Sequence, residues 1–413
     1  MTTFVDLFAG CGGLSLGLEK AGFKPVYVNE LNNDALSTYL INRQKYPHLK
    51  NSLFFSNDIT KSSSTEYLEK LKINLKNIQK INFRELGLVV GGPPCQGYSG
   101  IGIRRSHYVD KINLPSNFLY KHMVRFIKAL EPKCYIFENV RGLVNGRWTK
   151  NGKKGEIFND VLKEFSSLNN YLYKPVVIQS KNYGVPQNRP RLFIIGIRKD
   201  LDFKLDISQE HDGFFPESTH NYPNLIDLLS DLIDPEYKKT FSTDLYLTNP
   251  KNDLQKSLRY NPINGKYYLK GDRVTDHHYS KHSERIESKF KFMIENQGNI
   301  QDEMKTKKFA QRLLPKNWNA KGPTITATSL PDDFVHFSQP RSLTVREWAR
   351  IQTFPDWYQF CGKRTTGGLR RAGNPREGNF DRDLPKYTQI GNAVPVNLAY
   401  LIGQHMNKII NKI

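Results

Sequence analysis

With 413 residues, 38% of them hydrophobic, the chain can bury a substantial core, and its length favours two or three domains over one. Lys and Arg outnumber Asp and Glu by 61 to 40, a formal charge of +21 that suits a polyanionic partner. The four cysteines, Cys11, Cys95, Cys134 and Cys361, form no CxxC pair, which argues against a cysteine-built zinc site, and no stretch reaches the roughly 18–20 apolar residues of a membrane span.

The charge is unevenly placed. Residues 238–321 hold 18 basic and 9 acidic side chains, whereas residues 1–100 hold 11 and 8. A solvated lysine-rich surface is one reading; the other is that polyanion binding sits apart from the chemistry of the front half. The start, MTTFVDLFAG, lacks a basic segment leading into a long apolar run, so a cytoplasmic protein with no membrane partner is expected.

The first two hundred residues alternate short β-branched or aromatic runs with helical spacings, as in a parallel sheet covered by helices. Strands are predicted at 4–7, 26–29, 53–55, 88–90, 135–138, 171–179 and 191–197. From about 200 to 335 the periodicity weakens and Asn, Asp, Pro, Tyr and Lys become frequent, which reads as a separate, irregular domain. A helix is predicted at 344–352, with Thr344 and Glu347 spaced as a capping box. A Gly, Arg, Asn and Pro-rich loop follows at 363–386, and an amphipathic helix closes the chain at 396–410.

The first chemical motif, DLFAGCGGLSLG at 6–17, runs a strand into Gly10, Cys11, Gly12 and Gly13 and then into a helix. Such glycines let backbone N–H groups approach a ligand closely, although a tight turn without a ligand also explains them. Glu30 closes the second predicted strand where such folds offer a carboxylate to ribose. Asp58 and Ile59, at the end of the third, would suit an adenine ring; surface acidity is the alternative for Asp58.

The strongest motif is VVGGPPCQGYS at 89–99, which holds Cys95 rigidly after a buried strand. A nucleophilic thiol needs a partner that activates its substrate. YIFENV at 135–140 supplies Glu138, whose carboxyl, desolvated at a strand end, could keep a proton for a ring nitrogen; a salt bridge or helix cap is the other use. In YGVPQNRPRLFIIGI at 183–197, Arg189 and Arg191 share one face of an extended segment and suit a carbonyl oxygen or a phosphate, unless they simply decorate a strand edge. His277, His278 and His282 are expected at the surface or on phosphate in preference to a metal.

Taken together, DLFAGCGG, GGPPCQGYS, FENV, QNRPR, RSLTVREWARIQTFP at 341–355 and QIGNAVP at 389–395 make the chain resemble the DNA (cytosine-5)-methyltransferase family, of bacterial restriction-modification type and with unpermuted motif order. The resemblance covers roughly residues 3–200 and 339–407. It implies an α/β, Rossmann-like S-adenosylmethionine-dependent methyltransferase domain, with a mixed, mostly parallel sheet and flanking helices, plus a smaller irregular target-recognition domain. The expected division is 1–200 and 339–413 for catalysis, with an inserted loop at 362–386, and 201–338 for recognition.

By the same resemblance Cys95 attacks carbon 6 of a flipped cytosine, Glu138 donates to N3, and Arg189 and Arg191 complete the catalytic set, Arg189 holding the base and the nucleophile region. The cofactor S-adenosylmethionine is assigned to Phe8, Gly10, Gly12, Gly13, Glu30, Asp58, Ile59, Pro93, Leu119 and Asn392. Double-stranded DNA is assigned to Gln96, Ser99, Arg104, Arg105 and Gln187, with Arg370 and Arg371 of the insertion as a second contact or as a plain surface loop. No metal is expected, monomeric action is, and a cognate restriction endonuclease is a functional companion at most. Rival readings are tRNA methylation, a dinucleotide-dependent dehydrogenase and a silent DNA-binding module.

Overall fold

The computed structural model describes residues 1–94, 110–201, 203–235, 237, 244–304, 311–318, 322–325, 333–366 and 383–411. In chain order the first part comprises β1 (Thr3–Leu7), α1 (Gly13–Lys20), β2 (Lys24–Asn29), α2 (Asn33–Ile41), β3 (Phe55–Ser56), α3 (Ile59–Ser62), α4 (Thr65–Asn77), β4 (Leu88–Gly91), α5 (Tyr120–Leu130), β5 (Cys134–Val140), α6 (Glu156–Ser166), β6 (Tyr171–Gln179) and β7 (Pro190–Arg198). These strands form one seven-stranded sheet in the order β3-β2-β1-β4-β5-β7-β6.

Strands β1 to β5 pair in parallel, and β7 runs antiparallel between β5 and β6. The continuous apolar runs explain this: all four residues of β4 are buried, as a central strand covered on both faces requires. From β1 the chain first builds outward to β2 and β3, then returns to the other side of β1 with β4. The order therefore reverses between β1 and β4, and the crevice beyond the carboxyl ends of those two strands is where such sheets bind ligands. The seven predicted strands are all present, β3 being shorter and displaced to Phe55–Ser56.

The second part comprises α7 (Leu225–Leu229), α8 (Asp253–Leu258), β8 (Tyr260–Asn261), β9 (Lys266–Tyr267), α9 (Glu284–Glu295), β10 (Arg312–Leu313), β11 (Phe334–Val335), α10 (Val345–Ile351), α11 (Lys386–Asn392) and α12 (Val396–Asn411). Helix α12 packs Leu398, Ala399, Ile402 and Met406 against Leu14 and Leu18 of α1, so the end of the chain returns to its beginning. The apolar core continues past residue 200. Phe214 and Phe215 join that same cluster, and Leu225, Leu228, Leu229 and Leu258 pack with Leu16, Trp348 and Ile390.

Helix α10 begins with the expected capping box, Thr344 bonding the Glu347 N–H and the Glu347 carboxylate bonding that of Thr344. All seven of its residues are buried, Arg346, Glu347 and Arg350 included. Each charge is matched inside: Arg350 with Asp231 and Asp356 at 2.5 and 2.6 Å, Glu347 with Arg341 at 2.7 Å. No helix among the described residues is long and apolar enough to cross a membrane.

Candidate active site

The carboxyl ends of β1, β2, β4 and β5 carry or lead into Phe8 and the Gly10–Gly13 turn, Glu30, Pro93 and Glu138. β1 is followed by Phe8, whose φ of +57° is uncommon for a bulky residue and turns the chain abruptly. Gly10 and Gly12 follow with φ of +57° and +82°. A Cβ on Gly10 would meet nothing within 4 Å, whereas one on Gly13 would lie 2.4 Å from the Val394 carbonyl oxygen. The turn thus leaves space above Gly10 and is pressed at Gly13 against residues 393 and 394.

Glu30, just beyond β2, accepts hydrogen bonds from the N–H groups of Gly10 and Asn32, both at 2.8 Å. Burial raises its pKa above the ordinary carboxylate value, and the N–H donors oppose that rise. Asp58 caps α3, accepting from the Thr60 N–H at 2.9 Å and the Thr60 hydroxyl at 2.6 Å; these bonds hold its pKa low. Ile59 is buried against the sheet, Pro93 is buried, Leu119 is half-buried at the start of α5, and Asn392 is exposed at the end of α11.

Across the reversal point, Glu138 near the end of β5 faces the end of β4: a Cβ on Gly92 would stand 3.0 Å from its Oε2. Its Oε1 lies 2.9 Å from Arg191 Nε on the neighbouring β7. Burial raises the Glu138 pKa, and the charges of Arg191 and then Arg189 oppose the rise. Asn139 donates to the Pro93 carbonyl at 3.1 Å, tying β5 to the loop that leads to Cys95. Cys95 itself lies outside the described residues, as do Gln96, Ser99, Arg104, Arg105, Arg370 and Arg371.

Arg189 and Arg191 do not open together into one cleft. Arg191 faces Glu138, while Arg189 is fully buried and donates to the carbonyls of Ile325, Gly391, Asn392 and Ala393. Gln187, expected at DNA, is likewise fully buried, its Nε2 donating to Gln352 Oε1 at 2.6 Å and to Ile351 O at 3.3 Å. In this Asn-Arg-Pro-Arg segment only Arg189 is buried, because the folded chain brings to it the carbonyls of Ile325 and of residues 391–393. His277 also departs from expectation. It is buried between Thr344 Oγ1 at 3.0 Å and Leu232 O at 3.1 Å, while His278 is exposed.

A separate groove of about 800 Å³ is lined in part by Lys251, Lys256, Lys266 and Tyr267. Lys256 Nζ stands 5.6 Å from the Tyr267 ring centre. The groove's carboxylates, Asp253 and Asp272, are exposed, so it has the makings of a polyanion contact rather than of an acid–base centre.

A family model described as C-5 cytosine-specific DNA methylase matches residues 2–408. The Type II methyltransferase M.DdeI of Desulfomicrobium norvegicum is 30% identical over 417 residues, covering 98% of this chain and 88% of that protein. M.XorII of Xanthomonas oryzae pv. oryzae, also a Type II methyltransferase, is 28% identical over 422 residues, covering 99% and 85%. Among solved structures, a protein described as a DNA modification methyltransferase encoded within an E. coli prophage shares the fold, with a TM-score of 0.67 at 22% identity over the whole of both chains.

Proposed function

Because the chain belongs to the C-5 cytosine-specific DNA methylase family, we propose that it methylates carbon 5 of cytosine in a specific double-stranded DNA sequence through a covalent adduct of Cys95 with a flipped-out base. The observation that carries this reading is the placement of Glu138: a buried carboxyl near the carboxyl end of β5, beside β4 and against Gly92, three positions before Cys95, and paired with Arg191.

The cofactor side is read from the open space above Gly10, flanked by the buried carboxylate of Glu30, with residues 393 and 394 packed against nearby Gly13. That cradle fits S-adenosylmethionine, with Phe8, Gly10 and Gly12 toward the methionine end, Glu30 toward the ribose, and Asp58 and Ile59 toward the adenine. Bound there, the cofactor supplies an electrophilic methyl group on a sulfonium. Gly13 serves this cradle indirectly, by letting residues 393 and 394 pack close against the glycine turn.

The chain's own residues account for the remaining chemistry. The Cys95 thiolate forms a bond to carbon 6 of cytosine while Glu138 gives its proton to N3, so the electron pair of the 5,6 double bond becomes available at carbon 5 for the methyl group. Loss of the carbon 5 proton to a base then restores the double bond and expels the thiolate, and the N3 proton returns to the Glu138 carboxylate. Burial helps Glu138 keep its proton toward neutral pH, and Arg191 holds the carboxyl in place. Stacking shields these atoms in a duplex, which is why the target base must leave the helix.

Residues 201–338, with the Lys256–Tyr267 groove, are read as the DNA-recognition part, and the Type II methyltransferase names of the relatives support a restriction-modification setting. Bisulfite sequencing of plasmid DNA from cells expressing the wild type or Cys95→Ala tests the whole reading. Methylated cytosines in one fixed sequence, absent with the variant, support it. Unmodified DNA from cells making folded wild-type protein, or modification that survives the variant, overturns it.

A further inference from the structure

Helix α11 ends at Asn392, and its last carbonyls are satisfied by two side chains from elsewhere in the chain. Gln352 Nε2 donates to Ile390 O at 2.7 Å and to Ala393 O at 3.0 Å. Arg189 Nη2 donates to Gly391 O, Asn392 O and Ala393 O at 2.9, 3.3 and 3.0 Å. A helix leaves its final four carbonyls without intrahelical partners and carries partial negative charge at that end, so a buried guanidinium is well matched there. Gln187, 2.6 Å from Gln352 Oε1, fixes the orientation of the Gln352 amide so that its nitrogen faces α11.

The clamped turn is the one that presses on the glycine loop. Val394 O sits where a Cβ on Gly13 would be, with Ala393 Cβ 3.1 Å from the same point, and exposed Asn392 stands beside them. Both of Arg189's terminal nitrogens are engaged, Nη1 reaching Ile325 O at 2.9 Å, and the side chain is fully buried. Two residues further on, Arg191 in β7 forms the ion pair with Glu138.

We propose that Arg189, together with Gln352, is a positioning residue for the cofactor: it clamps the turn at 390–394 over the Gly10–Gly13 loop and does not hold the cytosine. The inference rests on reading the space above Gly10 as the S-adenosylmethionine site. It assigns the two arginines of one motif to different ligands, Arg191 to the base through Glu138 and Arg189 to the cofactor through α11. Lysine cannot replace Arg189, because one ammonium cannot span carbonyls from two directions as a planar guanidinium does.

Calorimetric titration of the full chain with S-adenosylhomocysteine, without DNA, tests this in Arg189→Lys and Gln352→Leu. Both variants are expected to bind at least about tenfold more weakly than wild type. KM for S-adenosylmethionine should rise by a larger factor than kcat falls, and DNA affinity should hold within about twofold. A merely structural role would instead lower the folded fraction and leave the affinity of the folded molecules unchanged. If Arg189→Lys does not fold, Gln352→Leu decides, since it removes two of the bonds and adds no charge. Cofactor affinity within about twofold of wild type in a folded variant overturns the proposal. Failure of the wild type to bind S-adenosylhomocysteine overturns the site reading itself, and this inference with it.

Discussion

Arg191 Nε lies 2.9 Å from Glu138 Oε1, with 12% of the arginine side chain and 11% of the glutamate side chain left exposed. The pair sets two opposing influences on one proton: burial favours the neutral acid and the guanidinium favours the carboxylate. A general acid must be protonated to act, so the single-turnover methylation rate is expected to fall as pH rises through the Glu138 pKa. Arg191→Met removes the opposing charge. It should lower the maximal rate and move that alkaline limb to higher pH. Glu138→Gln, which has no acidic proton, should cost about 10²–10⁴-fold in rate with the limb abolished. A limb at the same pH in Arg191→Met would show that Glu138 is not the group observed.

Gly10 and Gly13 make a contrasting pair. An alanine at Gly13 would strike the backbone oxygen of Val394, which cannot yield without moving the whole turn, so Gly13→Ala should lose about 1–3 kcal/mol in urea unfolding as well as cofactor affinity. At Gly10 a methyl group meets no protein atom, and the cost is mainly that of the left-handed conformation at φ +57°, roughly 1–2 kcal/mol. The new methyl nevertheless projects into the cradle. Gly10→Ala should therefore stay folded and lose S-adenosylhomocysteine affinity in calorimetry; retained affinity would place the ligand elsewhere.

The sheet was legible because its signals are local: β4 and β5 are short apolar runs, and the glycine, proline and acid that follow them are adjacent in sequence. The acid at Glu138 could be named from the same argument. What escaped was burial decided by distant partners. Gln187, Arg189, Arg346 and Arg350 are polar residues in unexceptional spacings, and each is fully buried because groups 6 to more than 200 positions away complete its hydrogen bonds. Charge count predicts surface for such residues. Only the fold supplies the carbonyls and carboxylates that make an interior position possible.

Asp231 shows what that interior costs when one member is lost. It bonds Arg350 at 2.5 Å and Arg259 at 2.6 Å, all three side chains being fully buried, and Asp356 completes the set on Arg350. Asp231→Ala leaves Arg259 with no carboxylate within this group and Arg350 with one. The expected loss is about 3–5 kcal/mol of unfolding free energy, read from the urea midpoint at unchanged slope. Asp231→Asn retains the shape and an acceptor and should lose less. A loss under about 1 kcal/mol would show that solvent already screens the group.

His277 sets the acid sensitivity of the same region. The Leu232 carbonyl can only accept, so Nε2 carries the ring proton and Nδ1 accepts from the Thr344 hydroxyl, leaving a neutral imidazole with no room for a second proton. Burial lowers the pKa from 6.5 to about 4, against the attraction of Glu347 and with the help of Arg341 and Arg350. A depressed folded-state pKa means that the unfolded chain binds the proton first. The stabilisation is complete above about pH 6.5 and is lost as pH falls toward 4, which by linkage amounts to about 2 kcal/mol at pH 5. Glu347 is also held below the ordinary carboxylate range, chiefly by Arg341 against its own burial, so its contribution is lost only at more acid pH. Unfolding free energies at pH 7 and pH 5 should thus differ by about that amount more in the wild type than in His277→Gln, whose side chain does not titrate. Equal differences in the two proteins would assign the acid sensitivity to other groups.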